Sequence, residues 1–115
     1  MKNNFELVHV GINTQTPKEA VELAELLSLM FNLSPRHGQK SEFAGNYFEC
    51  MKAPFLGANG HIAMVTPDLD AAVEELKNKG FTFNQDTASY TEDGKLKNIY
   101  LEGEFGGFAI HILRK

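Results

Sequence analysis

His9, Glu49, His61 and His111 are the residues of this sequence best suited to a shared chemistry. Imidazole nitrogens and a carboxylate oxygen are donors that first-row divalent metals take in open, reactive sites. Two of the four come in a repeated context. His9 stands in "VHVGIN" and His61 in "NGHIAMV", and the step from His9 to Val21 of one Ala-Val-Glu run equals the step from His61 to Val73 of the other. Taken singly, a histidine in an apolar strand is more often a hydrogen-bonded core residue than a ligand. Glu49, flanked by Phe48 and Cys50, is harder to set aside, because a buried carboxylate without a partner is costly.

The elements around these residues repeat as well. Residues 5–12 read as a strand with Phe5, Leu7 and His9 on one face. Thr16 and Pro17 then open a helix that runs to about Phe31, its inner stripe formed by Ala20, Leu23, Ala24, Leu27 and Met30. Ser34-Pro35 ends it. Two or three short strands are expected over 36–51, with turns near Gly38 and at Gly45-Asn46, and Tyr47, Glu49 and Met51 face away from Phe48 and Cys50. After the connector "KAPFLGANG" the pattern restarts. "HIAMV" is a strand, "TPDLDAAVEELKNKG" is a helix closed by Gly80, and "FTF" begins another strand. Asp93-Gly94 marks a hairpin turn, and the last strand places Ala109, His111 and Leu113 on one face.

Each half therefore reads strand, helix, then about three strands, an internal duplication. The expected division is one domain over 1–115, with halves of about 1–53 and 59–115. His9 and His61 fall on the first strands, Glu49 and His111 on the last. If a twofold relates the halves, the four side chains converge. Strands would hold them rigidly as a metal site, with positions left for water or substrate.

Bulk properties narrow the function. A chain of 115 residues is one domain's worth, and nine phenylalanines supply bulky core material. A net charge of −4 argues against a nucleic-acid surface. No apolar stretch has signal-peptide or membrane-span length, so a cytoplasmic protein with no membrane partner is expected. Cys50 is the single cysteine, which excludes an intrachain disulfide, and its expected direction away from Glu49 argues against a nucleophile. Arg36, Lys40 and Lys52 are candidate contacts for a substrate carboxylate or phosphate, although surface lysines are usually only solvated. Phe43, Tyr47, Phe55 and Tyr100 are candidates to line a pocket, although strand aromatics more often form core. His37, in "SPRHGQK", is given no role, and "GEFGG" lacks the strand-to-helix context of a phosphate loop.

The phrases "LVHVGIN", "YFECM", "NGHIAMV" and "GGFAIHIL" resemble the vicinal oxygen chelate superfamily over essentially the whole chain. Its members include glyoxalase I, extradiol dioxygenases, methylmalonyl-CoA epimerase, and fosfomycin and bleomycin resistance proteins. The resemblance implies an α+β fold of two tandem βαβββ modules forming a cupped mixed β-sheet with the helices outside. It implies ligands on the first and fourth strands of each module, hence His9 and Glu49 from one and His61 and His111 from the other. One divalent ion per site (Zn, Ni, Mn, Fe or Co) and a homodimer are implied with it. His111 departs from the pattern, because glyoxalases, epimerases and dioxygenases commonly carry Glu there. The extradiol iron triad also needs its carboxylate on a different strand. A narrower resemblance, through "FAGNYFECMKAPFLGANGHIA" and "GGFAIHILRK", is to a C-terminal module appended to some bacterial 2-keto-3-deoxy-6-phosphogluconate aldolases. It implies 2-oxo-acid or sugar-acid metabolism.

Three imidazoles and one carboxylate around a dication leave a net charge of +1, where two carboxylates would leave none. Such a site favours anionic chelators with two vicinal oxygens and lowers the pKa of bound water. The expected function is a glyoxalase-like, metal-dependent enzyme acting on a small oxygenated anion by enolate-stabilised isomerisation or lyase chemistry. Glu49 would serve as ligand or base, and one carboxylate favours a one-base step over a two-base epimerisation. The alternatives are a non-catalytic ligand-binding or sequestering module and a regulatory partner of an aldolase.

Overall fold

The computed structural model describes residues 2–115. Along the chain run β1 (Glu6–Asn13), α1 (Pro17–Phe31), β2 (Pro35–His37), β3 (Ser41–Ala44), β4 (Phe48–Met51), β5 (Gly60–Thr66), α2 (Leu69–Asn78), β6 (Phe83–Tyr90), β7 (Leu96–Leu101) and β8 (Phe108–Arg114). The strands form one eight-stranded sheet in the order β2-β3-β4-β1-β5-β8-β7-β6. From the central pair outward the order is first, fourth, third, second strand in each half. The β1/β4 and β5/β8 pairs are parallel and the others antiparallel. This is the expected α+β fold of two βαβββ units.

The helices are set by their ends and by small inner residues. The Thr16 hydroxyl accepts from the Glu19 amide at 3.1 Å, Pro17 fills the first turn, and Asn32 closes α1 in the left-handed region at φ 57°. Ala20, Ala24 and Ser28 face inward, where α1 packs on Ala44 and Cys50 with Leu23, Leu27 and Phe48 around them. Met30, expected in the inner stripe, is instead 53% exposed. The buried row follows the four-residue spacing to Ser28, and small side chains let the helix lie close to the sheet. Asp68 caps α2 by accepting from the Ala71 amide at 3.2 Å. Leu69 and Val73 then pack with Phe83, Leu96, Ile99, Leu101 and Ile112. Leu69 and Ile99 are fully buried, each worth about 1.5–3 kcal/mol of apolar transfer.

One face assignment is corrected. Leu7 pairs with Met64 while His9 pairs with Ala63, so the register shifts between them. Neighbouring residues of β5 point to opposite faces, hence Leu7 and His9 do too; the extra residue of this β-bulge reverses the alternation. Phe5 accordingly packs against the α2-side core.

Direct cross-strand partners share a face. On the helix-free face one row runs Arg36, Phe43, Glu49, Gly11, His61, Ala109. Beside it runs a second, His9, Ala63, His111, Tyr100, Asn84. The two rows bring together residues that are far apart in the chain.

Candidate metal centre

Glu49 and His61 flank Gly11, and His9 and His111 flank Ala63. The small residues leave room for the larger side chains to lean toward one point. At Gly11 this space is fully used: a Cβ there would stand 2.1 Å from Cε1 and 2.4 Å from Nδ1 of the His61 ring. The strands also approach closely where β5 begins, since a Cβ on Gly60 would lie 1.9 Å from the Gly11 carbonyl oxygen. Its φ of 149° is one that side-chain-bearing residues rarely adopt.

The donor atoms converge within one chain. His9 Nε2 and His61 Nε2 are 3.2 Å apart, and each lies close to Glu49 Oε1, at 3.1 and 3.0 Å. One nitrogen from each of His9, His61 and His111 falls within a 4.8 Å cluster. The Nδ1 of His111 is bonded to Asn98 Oδ1 at 2.7 Å, which leaves its Nε2 buried and without a hydrogen-bond partner among the described residues. Hydrogen bonds alone do not satisfy this triangle. If both imidazoles donate to Glu49, two N–H groups face each other at 3.2 Å. Donors bound at about 2.1 Å to a shared divalent ion stand about 3.0–3.4 Å from one another, which is the spacing found.

The electrostatics suit a cation. Hydrogen bonds from His61 and then His9 outweigh desolvation and, with Ser41, hold the Glu49 carboxyl far below the usual carboxylate range. Burial, reinforced by His61 and His9 and opposed by Glu49, pushes His111 down to about 4. At neutral pH its imidazole is therefore uncharged, the form that binds metals. Tyr100 stacks on His111 with centroids 4.4 Å apart and rings 8° from parallel. Burial and then the Glu49 charge raise its phenol to about 12. The unpartnered His111 nitrogen, the His61 ring lodged over Gly11 and the mixed imidazole–carboxylate donors all fit a divalent metal.

Two neighbours escaped the sequence reading. Ser41 Oγ donates to Glu49 Oε2 at 2.6 Å, and Asn98 is the partner of His111. Their only sequence signal is polarity at inward positions, two residues before Phe43 and Tyr100.

The secondary candidates separate. Arg36 lies in the Glu49 row with its guanidinium 4.0 Å from the centroid of Phe43, and it makes no ion pair among the described residues. Phe55 meets Tyr100 edge-on at 6.1 Å. Its amide donates to Asn13 Oδ1 at 3.3 Å, and Asn13 Nδ2 donates to the Gly57 carbonyl at 2.9 Å, so Asn13 holds the connector in place. Lys52 is committed elsewhere, with Nζ 2.8 Å from the Gly38 carbonyl and 3.3 Å from the buried Glu42. His37, given no role, pairs with the same Glu42. Tyr47 is exposed. Cys50 is buried on the α1 side, and burial, then Glu42 and Glu49, raise its thiol to about 11.

Neither protein-family models nor curated protein sequences give a match to this chain. Solved structures do. A hypothetical protein from Bacillus halodurans superposes with a TM-score of 0.64 at 16% identity, over 97% of this chain and 95% of that one. Methylmalonyl-CoA epimerase from Mycobacterium tuberculosis superposes with a TM-score of 0.58 at 18% identity, over 94% and 86%. At these identities the likeness is one of fold.

Proposed function

We propose that this chain is a divalent-metal-dependent enzyme of the vicinal oxygen chelate type, acting on a small 2-oxo or hydroxy acid by isomerisation or lyase chemistry. The observation that carries the reading is the convergence of His9 Nε2, His61 Nε2 and Glu49 Oε1 at 3.0–3.2 Å beside the unpartnered nitrogen of His111. His9, Glu49, His61 and His111 would hold the ion. When bound, it would polarise a carbonyl and stabilise the negative charge that develops as the adjacent carbon loses a proton. The fold shared with an epimerase is consistent with that chemistry.

The chain's own groups divide the remaining work. His9 and Glu49 keep 20% and 17% side-chain exposure against 5% for His61, so substrate approaches from their side. Arg36 offers a cation on the same face two strands from Glu49, roughly 10 Å away, which supports an anionic substrate. Tyr100, kept protonated, supplies a donor phenol and with Phe55 an aromatic wall. Glu49 is the only carboxylate among the four and the first candidate to accept a proton. To do so it must leave the two imidazoles.

That requirement favours a second reading, a ligand-binding module. A carboxylate tied to His9, His61 and Ser41 is a good ligand and a poor base. The two readings part on one experiment. Metal-reconstituted protein is incubated with 2-oxo and 2-hydroxy acids in D2O, and proton NMR follows exchange at the carbon beside the carbonyl. The enzyme reading expects exchange well above free metal, reduced about 10²-fold or more in Glu49→Gln at equal metal content. Tight binding with exchange no faster than free metal makes the protein a binding module.

A further inference from the structure

The internal twofold relates more than the four candidate ligands. Phe43 pairs with Glu49 across β3/β4, and Tyr100 pairs with His111 across β7/β8. Ser41 and Asn98 each lie two residues before that partner, on the third strand of their unit and on the same face. They are therefore equivalent positions. Each reaches diagonally to the ligand of the next strand, Ser41 Oγ to Glu49 Oε2 at 2.6 Å and Asn98 Oδ1 to His111 Nδ1 at 2.7 Å. The chemistry at each position matches its ligand. A hydroxyl donates to the carboxylate, and an amide oxygen accepts from the imidazole.

The orientation of the Asn98 amide has its own support. Its Nδ2 donates to the Thr87 carbonyl at 3.4 Å, which turns Oδ1 toward His111. Thr87 lies in the stretch of β6 between Asn84 and Ser89 where the ladder to β7 loses its regular register. There its hydroxyl accepts from the Tyr100 amide at 2.9 Å and donates to the Asn84 carbonyl at 2.7 Å. The irregularity frees a carbonyl for Asn98 while the Thr87 side chain covers the ladder bond that was lost. Bulges near reactive sites re-aim side chains in this way. With Oδ1 as acceptor, Nδ1 of His111 must carry the hydrogen, and Nε2 is left with its lone pair.

We propose that Ser41 and Asn98 are a matched pair of ligand-positioning residues, with Asn98 locking His111 in the tautomer that presents a free Nε2 to the centre and Ser41 holding Glu49 so that Oε1 faces His9 and His61. The metal consequence rests on the ligand reading above; the tautomer does not. Partners of this kind orient ligands and are typically worth about 10–100-fold in metal affinity.

The test has two readouts. In metal-free protein, two-dimensional ¹H–¹⁵N NMR of the imidazole rings reports which His111 nitrogen is protonated. The wild type is expected as the Nδ1–H tautomer, with a mixture or the reverse in Asn98→Leu and restoration in Asn98→Asp, which keeps an acceptor. In parallel, Zn²⁺ competition against a chromophoric chelator is expected to show about 10–100-fold weaker binding for Asn98→Leu and Ser41→Ala, with recovery in Asn98→Asp and Ser41→Thr. A wild-type His111 protonated on Nε2 overturns the proposal, as does an Asn98→Leu tautomer identical to wild type. Should Asn98→Leu fail to fold, Asn98→Ala takes its place with the same expectations. A wild type that binds no Zn²⁺ yet shows the Nδ1–H tautomer upholds the positioning and rejects the ligand reading alone.

Discussion

The contact between Gly11 and His61 ties a single hydrogen atom to the whole centre. A methyl group at residue 11 would enter the space of the imidazole, 2.1 Å from Cε1. Gly11→Ala should cost about 1–3 kcal/mol in urea unfolding as overpacking. It should also weaken Zn²⁺ binding at least about ten-fold, because the displaced ring carries a donor. The twofold-related residue, Ala63, already has that methyl group, so the demand is particular to the His61 side. His111 gives a pH prediction. Its folded value near 4 lies below the ordinary 6.5, so between these values the unfolded chain takes up a proton that the folded chain refuses. This contribution to stability is complete above pH 6.5 and declines toward pH 4, by up to about 3 kcal/mol. Urea unfolding of chelator-treated protein should lose more stability from pH 7 to pH 4.5 in the wild type than in His111→Gln. Equal losses would contradict it.

Strands β2, β3 and β4 depend on a buried charge that has no part in the centre. Glu42 is 3% exposed and is held by His37 and Lys52. Burial alone would raise its carboxyl, but the two partners together bring it below the usual range. Removing one partner from a buried pair leaves a charge undercompensated. Lys52→Met should therefore cost about 1–3 kcal/mol in chemical unfolding, with Zn²⁺ affinity changed less than about two-fold. A large loss of Zn²⁺ affinity at unchanged stability would contradict this separation and tie Lys52 to the centre. Element order and the faces of β4 and β8 were legible, because alternation and turn residues act locally. The Leu7–His9 bulge and the exposure of Met30 were not. A bulge is settled by the opposing strand, and the depth of a helix stripe by how closely the helix seats. Ser41 and Asn98 escaped for a similar reason: a polar residue at an inward position acquires its meaning only from the neighbouring strand.

At the scale of the molecule, the duplicated histidine phrase was the strongest signal in the sequence. A twofold between β1 and β5 converts a 52-residue separation of His9 and His61 into a 3.2 Å approach of their nitrogens. His9, His61 and His111 cluster within one chain, with Glu49 against the first two, so the expected homodimer is not required to bring the candidate ligands together. Sedimentation equilibrium should find a dimer whose dissociation leaves metal affinity unchanged, and affinity that rises with protein concentration would contradict this. The proposed chemistry stands on these four side chains holding a metal ion. Elemental analysis of untagged protein, purified without chelators and reconstituted, is the decisive measurement. About one divalent first-row ion per chain, lost in His61→Ala, is the expected outcome. No retained metal in the wild type, or equal metal in His61→Ala, would contradict it and leave the cluster a set of hydrogen-bonded polar residues.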